Sequence, residues 1–102
     1  MLDGIRIPIL KIGDVLVASI QTELHDASAV QFKDDLLQKL YETRARGVII
    51  DLTAVDVVDS FIGRMIADIA AMAGLMGARV VLTGLQPAVA ITLVELGMEL
   101  PN

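Results

Sequence analysis

The run Val48-Ile49-Ile50, closed by Asp51, narrows the fold more than any other part of the sequence. It is wholly apolar and too short for a helix, the signature of a buried central strand. The next nine residues are equally restrictive. A connection carrying Asp51, Asp56 and Asp59 leads to Ser60, and from Ser60 the apolar residues recur with helical spacing. The strand therefore feeds through an acidic loop into a helix. In an open α/β sheet, the region beyond the carboxyl ends of the strands is where sites are built. Ser60 stands there, and we read it as a surface switch.

The flanking sequence fits the same scheme. Ile5 to Ile12 alternates as a half-exposed strand, and Pro8, which cannot donate to a ladder, makes it an edge. Gly13-Asp14 is a tight-hairpin signal, and Val15 to Ile20 comes next as an antiparallel neighbour. From Asp26 the period becomes helical. Ala29, Val30, Leu36, Leu37, Leu40 and Tyr41 share a face, with Phe32 and Ala45 at its margins. Asp26 or Ser28 can cap this helix, and Gly47 can end it after a basic last turn with Arg44 and Arg46. The strand Val48 to Leu52 precedes a greasy helix from Ser60 to Leu75, with Gly74 and Gly77 at its end. Only Arg64 and Asp68 are charged in it, so it either buries more than one stripe or presents one to a partner. Arg79 to Thr83 is a further strand, and Pro87 opens a last helix that Gly97 caps.

The expected order is β-β-α-β-α-β-α: one α/β domain over residues 1–102, its sheet mixed but mostly parallel, with an antiparallel N-terminal edge strand. A final helix with nothing after it leaves one sheet edge bare. The expectation is that a C-terminal strand and helix are missing, or that something else covers that edge.

Composition excludes several functions. With 102 residues there is no room for a second core. Hydrophobic residues make up 55% of the chain but only Phe32, Tyr41 and Phe61 are aromatic, so the core is aliphatic, with Met65, Met72, Met76 and Met98 as gap fillers. A net charge of −5 with eight scattered basic residues argues against nucleic acid. There is no cysteine, no signal-peptide pattern and no apolar run long enough for a membrane span, which points to a cytoplasmic protein without thiolate metal sites.

Catalytic signatures are absent. There is no Gly-rich phosphate loop, dinucleotide fingerprint or nucleophile elbow. His25 is the only histidine and is read as a capping or surface residue; alone it anchors no metal. Asp51, Asp56 and Asp59 admit a divalent-metal or phospho-acceptor reading, but the partner residues a receiver needs are not evident. The plainer reading is that Asp51 and Asp59 satisfy loop and helix N–H groups. Ser60 likewise has two compatible readings, an N-cap or a modifiable hydroxyl. No catalytic residue, metal site or cofactor is expected.

The whole chain resembles the STAS domain, the fold of the bacterial anti-anti-sigma factors, and within it the RsbS-type scaffolds of the stressosome. The likeness is carried by Ile7-Pro8-Ile9-Leu10-Lys11, Gly47-Val48-Ile49-Ile50-Asp51-Leu52-Thr53, Val57-Val58-Asp59-Ser60-Phe61-Ile62-Gly63, Leu75-Met76-Gly77-Ala78 and Val80 through Ala90. General anti-anti-sigma factors carry two small residues after the switch serine. Here Phe61-Ile62 stands instead, as in the stressosome branch. The resemblance implies a non-enzymatic scaffold that self-associates and assembles with RsbR-type STAS paralogues. It also implies that the scaffold holds an RsbT-type serine kinase and releases it once Ser60 is phosphorylated. Asp56, Asp59, Phe61, Ile62 and Arg64 would then form the partner-binding surface. Two alternatives are a simple anti-anti-sigma factor that binds an anti-sigma kinase directly, and a small-ligand or nucleotide-binding STAS module that uses the same loop ends.

Overall fold

The computed structural model describes residues 7–21 and 26–97. The elements run β1 (Ile9–Ile12), β2 (Val15–Ser19), α1 (Asp26–Thr43), β3 (Gly47–Asp51), α2 (Ser60–Leu75), β4 (Arg79–Thr83) and α3 (Pro87–Glu95). The four strands form one sheet in the order β1-β2-β3-β4. The β1–β2 pair is antiparallel, and β2–β3 and β3–β4 are parallel, as the alternation of strands and helices implies. Pro8 directly precedes β1, which lies at the edge as expected. Gly13 turns the hairpin with a φ of 60°. The expected strand start at Ile5, His25, Met98 and the Pro101-Asn102 end lie outside the described residues.

The core forms on one face of the sheet. Leu16, Val48 and Val80 occupy one cross-strand row, and Ala18 and Ile50 belong to the next. These residues share one apolar cluster with Phe32, Leu36 and Leu40 of α1 and Met65, Ile66 and Ile69 of α2. The two-residue strand period points every second side chain at the helices. The side chains between them, Val17, Ile49 and Val81, lie on the other face and are half-buried or exposed.

Three details depart from the expectations. Phe32, placed at the margin of α1's apolar face, is buried together with Ala29, Leu36 and Leu40, whereas Val30 and Tyr41 point to solvent. At about 100° per residue, the positions 29, 32, 36 and 40 fall within one stripe, and 30 and 41 rotate out of it. The end of α1 needs no glycine either. Arg44 adopts the left-handed region at φ 55°, and its N–H donates to the Leu40 carbonyl at 2.9 Å. The Thr43 hydroxyl donates to the Lys39 carbonyl at 2.8 Å and accepts from Ala45 N–H at 3.3 Å. The helix thus closes at Thr43, Arg44 and Arg46 fall beyond it, and Gly47 begins β3. Finally, Met72 and Met76 are not core. They are 40% and 42% exposed, whereas Met65 is buried. The α2 helix buries a single stripe, and Phe61, Met72 and Leu75 are exposed at its two ends.

α3 packs differently. Val89 and Leu93 join Val58 of the β3–α2 connection in a second, smaller apolar cluster, against which Val55 and Ile62 rest. Gly63 allows this approach, because a Cβ there would collide with the Leu96 side chain. The loop before α2 is therefore held from beneath by α3.

Candidate functional site

At the carboxyl ends of the parallel strands, Ser19, Asp51 and Thr83 stand in register across β2, β3 and β4. Their side chains share a face, so two hydroxyls converge on one carboxylate. Asp51 Oδ1 accepts from Thr83 Oγ1 at 3.2 Å, from Thr53 Oγ1 at 2.6 Å and from Thr53 N–H at 3.2 Å. Asp51 Oδ2 accepts from Ser19 Oγ at 3.3 Å. Gln86 Nε2 donates to the Thr53 carbonyl at 3.2 Å, which ties the start of α3 to the same point. Gly84, at φ +70°, passes so close that a Cβ would overlap Thr53 and crowd Asp51 Oδ1. The hydrogen bonds from Thr53 lead those that hold the Asp51 carboxyl below its ordinary value, and bonds from Thr83 and Ser19 add to them.

This knot commits Oδ1 to three donors and Oδ2 to the Ser19 hydroxyl, so the carboxyl serves as an anchor of the strand ends. Among the described residues, no group of three acids or histidines is placed to hold a metal ion. The plainer reading of Asp51 is the one the geometry supports. A carboxyl whose folded pKa is depressed gives stability that is present above its unfolded value of 3.8 and lost as pH falls through the folded value. The unfolding free energy of Asp51→Asn, from urea denaturation followed by circular dichroism, is therefore expected to fall less steeply with decreasing pH below pH ~4 than that of the parent chain.

From this anchored base the connection runs to α2. Val55 N–H donates to the Leu52 carbonyl at 2.9 Å, and Val58 is buried. Between them Asp56 and Val57 face outward, Val57 being 78% exposed. Asp59 is the N-cap of α2: its Oδ1 accepts from Ile62 N–H at 2.8 Å, and its carbonyl accepts from Gly63 N–H at 2.9 Å. Ser60 is thus the first helical residue and not the cap. Its side chain is exposed, and its hydroxyl has no partner among the described residues.

The division of labour between neighbours is testable. Asp59→Ala is expected to cost about 1 kcal/mol of unfolding free energy, as lost caps do, whereas Ser60→Ala should change stability by less than about 0.5 kcal/mol. Urea denaturation of the two variants measures both.

Of the residues expected at a partner surface, Asp56, Asp59, Phe61 and Arg64 are exposed around Ser60. Phe61 is 40% exposed. Ile62 is half-buried and packs against both apolar clusters, so it supports the turn more than it is displayed. Sequence reasoning misses Val57, although it is the most exposed apolar residue of the patch. A valine between Asp56 and a buried valine carries no periodic signal of its own.

The STAS domain family matches residues 6–100. The chain belongs to that family. Among curated relatives, this STAS chain is 35% identical over 85 residues to the RsbT co-antagonist protein RsbRA of Bacillus subtilis. That match covers 83% of this chain but 30% of RsbRA, so the chain spans less than a third of the relative's length. Among solved structures, a serine-to-glutamate variant of Moorella thermoacetica RsbS is 45% identical, with a TM-score of 0.86, over 93% of this chain and 80% of that one. A chain of the stressosome, a signal integration and transduction hub, is 47% identical, with a TM-score of 0.80, over 91% of this chain and 81% of that one. The mixed sheet with its antiparallel edge strand is thus the STAS fold, and the likeness extends to the RsbS and RsbR proteins of stress signalling. No helix among the described residues is long and apolar enough to cross a membrane.

Proposed function

We propose that this STAS chain is a non-enzymatic, cytoplasmic scaffold of a stressosome-type assembly. In this reading it associates with itself and with RsbR-type paralogues, holds an RsbT-type serine kinase, and releases it when Ser60 is phosphorylated. The observation that carries the reading is the position of Ser60. It is an exposed hydroxyl without a partner among the described residues, on the first turn of α2 and beside the outward-facing Val57 and Phe61. The likeness to a stressosome chain and to a protein named for its action with RsbT supports the partners.

The physics of the switch rests on the cap. A phosphate adds about −1.5 to −2 charges. On Ser60 it meets the positive end of α2, where the first-turn N–H groups lack helical acceptors. Arg64, one turn on, is an exposed cation without an ion pair among the described residues. The free domain therefore accommodates the anion. A kinase seated over Val57 and Phe61 has to desolvate it beside Asp56 and Asp59. The modification thus acts on the complex and spares the fold, and differential affinity is all that release requires. RsbS of Moorella thermoacetica keeps this fold with a glutamate in place of a serine.

The test is to incubate the chain with an RsbT-type kinase and ATP, map the phosphate by mass spectrometry, and follow kinase retention by sedimentation. An acid-stable phosphate on Ser60 with loss of the bound kinase is the expected result. Phosphorylation elsewhere, or retention of the kinase by the phosphoprotein, overturns the proposal.

A further inference from the structure

α1 and α2 pack on the sheet face that carries Leu16, Val48 and Val80. α3 reaches Leu82, the register mate of the buried Ile50, on that same face. Among the described elements, no helix is left to cover the other face. Its centre is apolar. Leu10, Val17, Ile49 and Val81 form one cross-strand row over the full width of the sheet. Leu10 is 59% exposed and Ile12, in the next row, is 62% exposed. A continuous apolar row left open to water marks a contact surface.

The two ends of this face carry opposite charges. The strand period puts Arg79 on it at the amino end of β4 and Asp51 on it at the carboxyl end of β3. Each stands two residues from the apolar row, on opposite sides of it. No other strand position on this face is charged among the described residues. Arg79 is exposed and has no ion pair among the described residues. The donors to Asp51 are hydroxyls and an amide, which leave its charge without a counter-ion.

We propose that two copies of the chain meet on this face, related by a two-fold axis that runs along the apolar row. This names the surface for the self-association in the reading above and rests on that reading. The axis sets each residue of the row opposite its own copy and makes the facing strands antiparallel. It also carries Arg79 of each copy over the carboxyl end of the other, opposite Thr83 and one strand, about 4.8 Å, from Asp51. Both ends are thus answered, and the face is complementary to itself. A two-fold axis along the strands would lay Arg79 on Ile12 and Asp51 on Ser19, with neither charge compensated. Ser60 stays free, because α2 lies on the covered side of the sheet. Four strands of about five residues make a small interface, so a reversible dimer is expected, with a Kd on the order of 10 µM.

Sedimentation equilibrium of the full chain, with no kinase or ATP present, tests the proposal over a range of concentrations. Val81→Lys and Arg79→Glu are each expected to weaken the dimer by about tenfold or more, with unchanged circular dichroism. Tyr41→Lys, an exposed change on the helix side, should leave it intact. The sequence has no cysteine, so Leu10→Cys offers one attachment point, and a short bismaleimide should join it to its own copy. A dimer that both face variants leave intact overturns the proposal while self-association stands on another surface. Failure of Leu10→Cys to cross-link within a dimer overturns the axis. A chain that stays monomeric throughout counts against self-association itself. Binding of an RsbR-type STAS domain to this face of a monomeric chain assigns it to a paralogue and also overturns the proposal.

Discussion

Ser60→Glu is expected to lower the affinity of the chain for an RsbT-type kinase by about 100-fold, and Ser60→Ala is expected to bind as the parent does but to be no longer released by ATP. The magnitude comes from the setting of the hydroxyl. Val57 and Phe61 give the patch its apolar contact, while Asp56 and Asp59 already make it acidic. A partner covering Val57 and Phe61 strips water from whatever stands at position 60. An unpaired interfacial charge costs a few kcal/mol, and about 1.4 kcal/mol is a factor of ten in affinity. The fold should not share in the loss, because the first-turn cap is the Asp59 carboxylate and that is untouched. Surface plasmon resonance on immobilised kinase gives the affinities, and far-ultraviolet circular dichroism checks the fold. Glutamate and parent chains binding within about twofold of each other, with both folded, would remove the electrostatic basis of the switch.

Gly84→Ala is expected to be the most damaging single methyl group in the chain, with a loss of about 3 kcal/mol or more and a fall in Tm on the order of 15 °C. Two costs add. The φ of +70° is left-handed backbone that residues with a Cβ adopt only at a penalty of about 1–2 kcal/mol. The added carbon also overlaps Thr53, including its backbone Cα, and presses on Asp51 Oδ1. A backbone atom cannot rotate away, so the β4–α3 turn has to lift off β3. The hydrogen bonds from Thr53 and Thr83 to Asp51 and from Gln86 to Thr53 then go with it. Gly77→Ala is the control: its φ is also positive but a Cβ there meets nothing within 4 Å, so only the backbone penalty applies. Differential scanning calorimetry of the two variants separates clash from strain. A fall in Tm for Gly84→Ala no larger than that for Gly77→Ala would show that the knot gives way easily.

Much of the architecture is legible in the sequence because it rests on local signals. The strand runs at Val48–Ile50 and Val80–Leu82, the proline opening α3 and the glycine at the hairpin each act within a few residues. The departures have a common origin in contacts between neighbours that periodicity does not encode. Arg44 takes over the work of a terminal glycine because the Thr43 hydroxyl closes the helix. Asp59 and not Ser60 is the cap, a difference of one position between two residues that cap equally well in isolation. The Asp51 knot needs strand register, since Ser19 and Thr83 lie 32 residues to either side of it. Met72 and Met76 read as core because hydrophobicity alone does not say which stripe of an apolar helix faces the sheet.

The order of the strands across the sheet is the order in which they occur along the chain. Among the described residues no later strand has to insert between two earlier ones, so each arrives at an edge already waiting for it. Only the β1–β2 hairpin is a local pairing; each parallel pair closes a crossover of 32 residues, and such remote pairings form more slowly. Assembly can proceed one strand at a time from the hairpin outward, in the direction of synthesis on the ribosome.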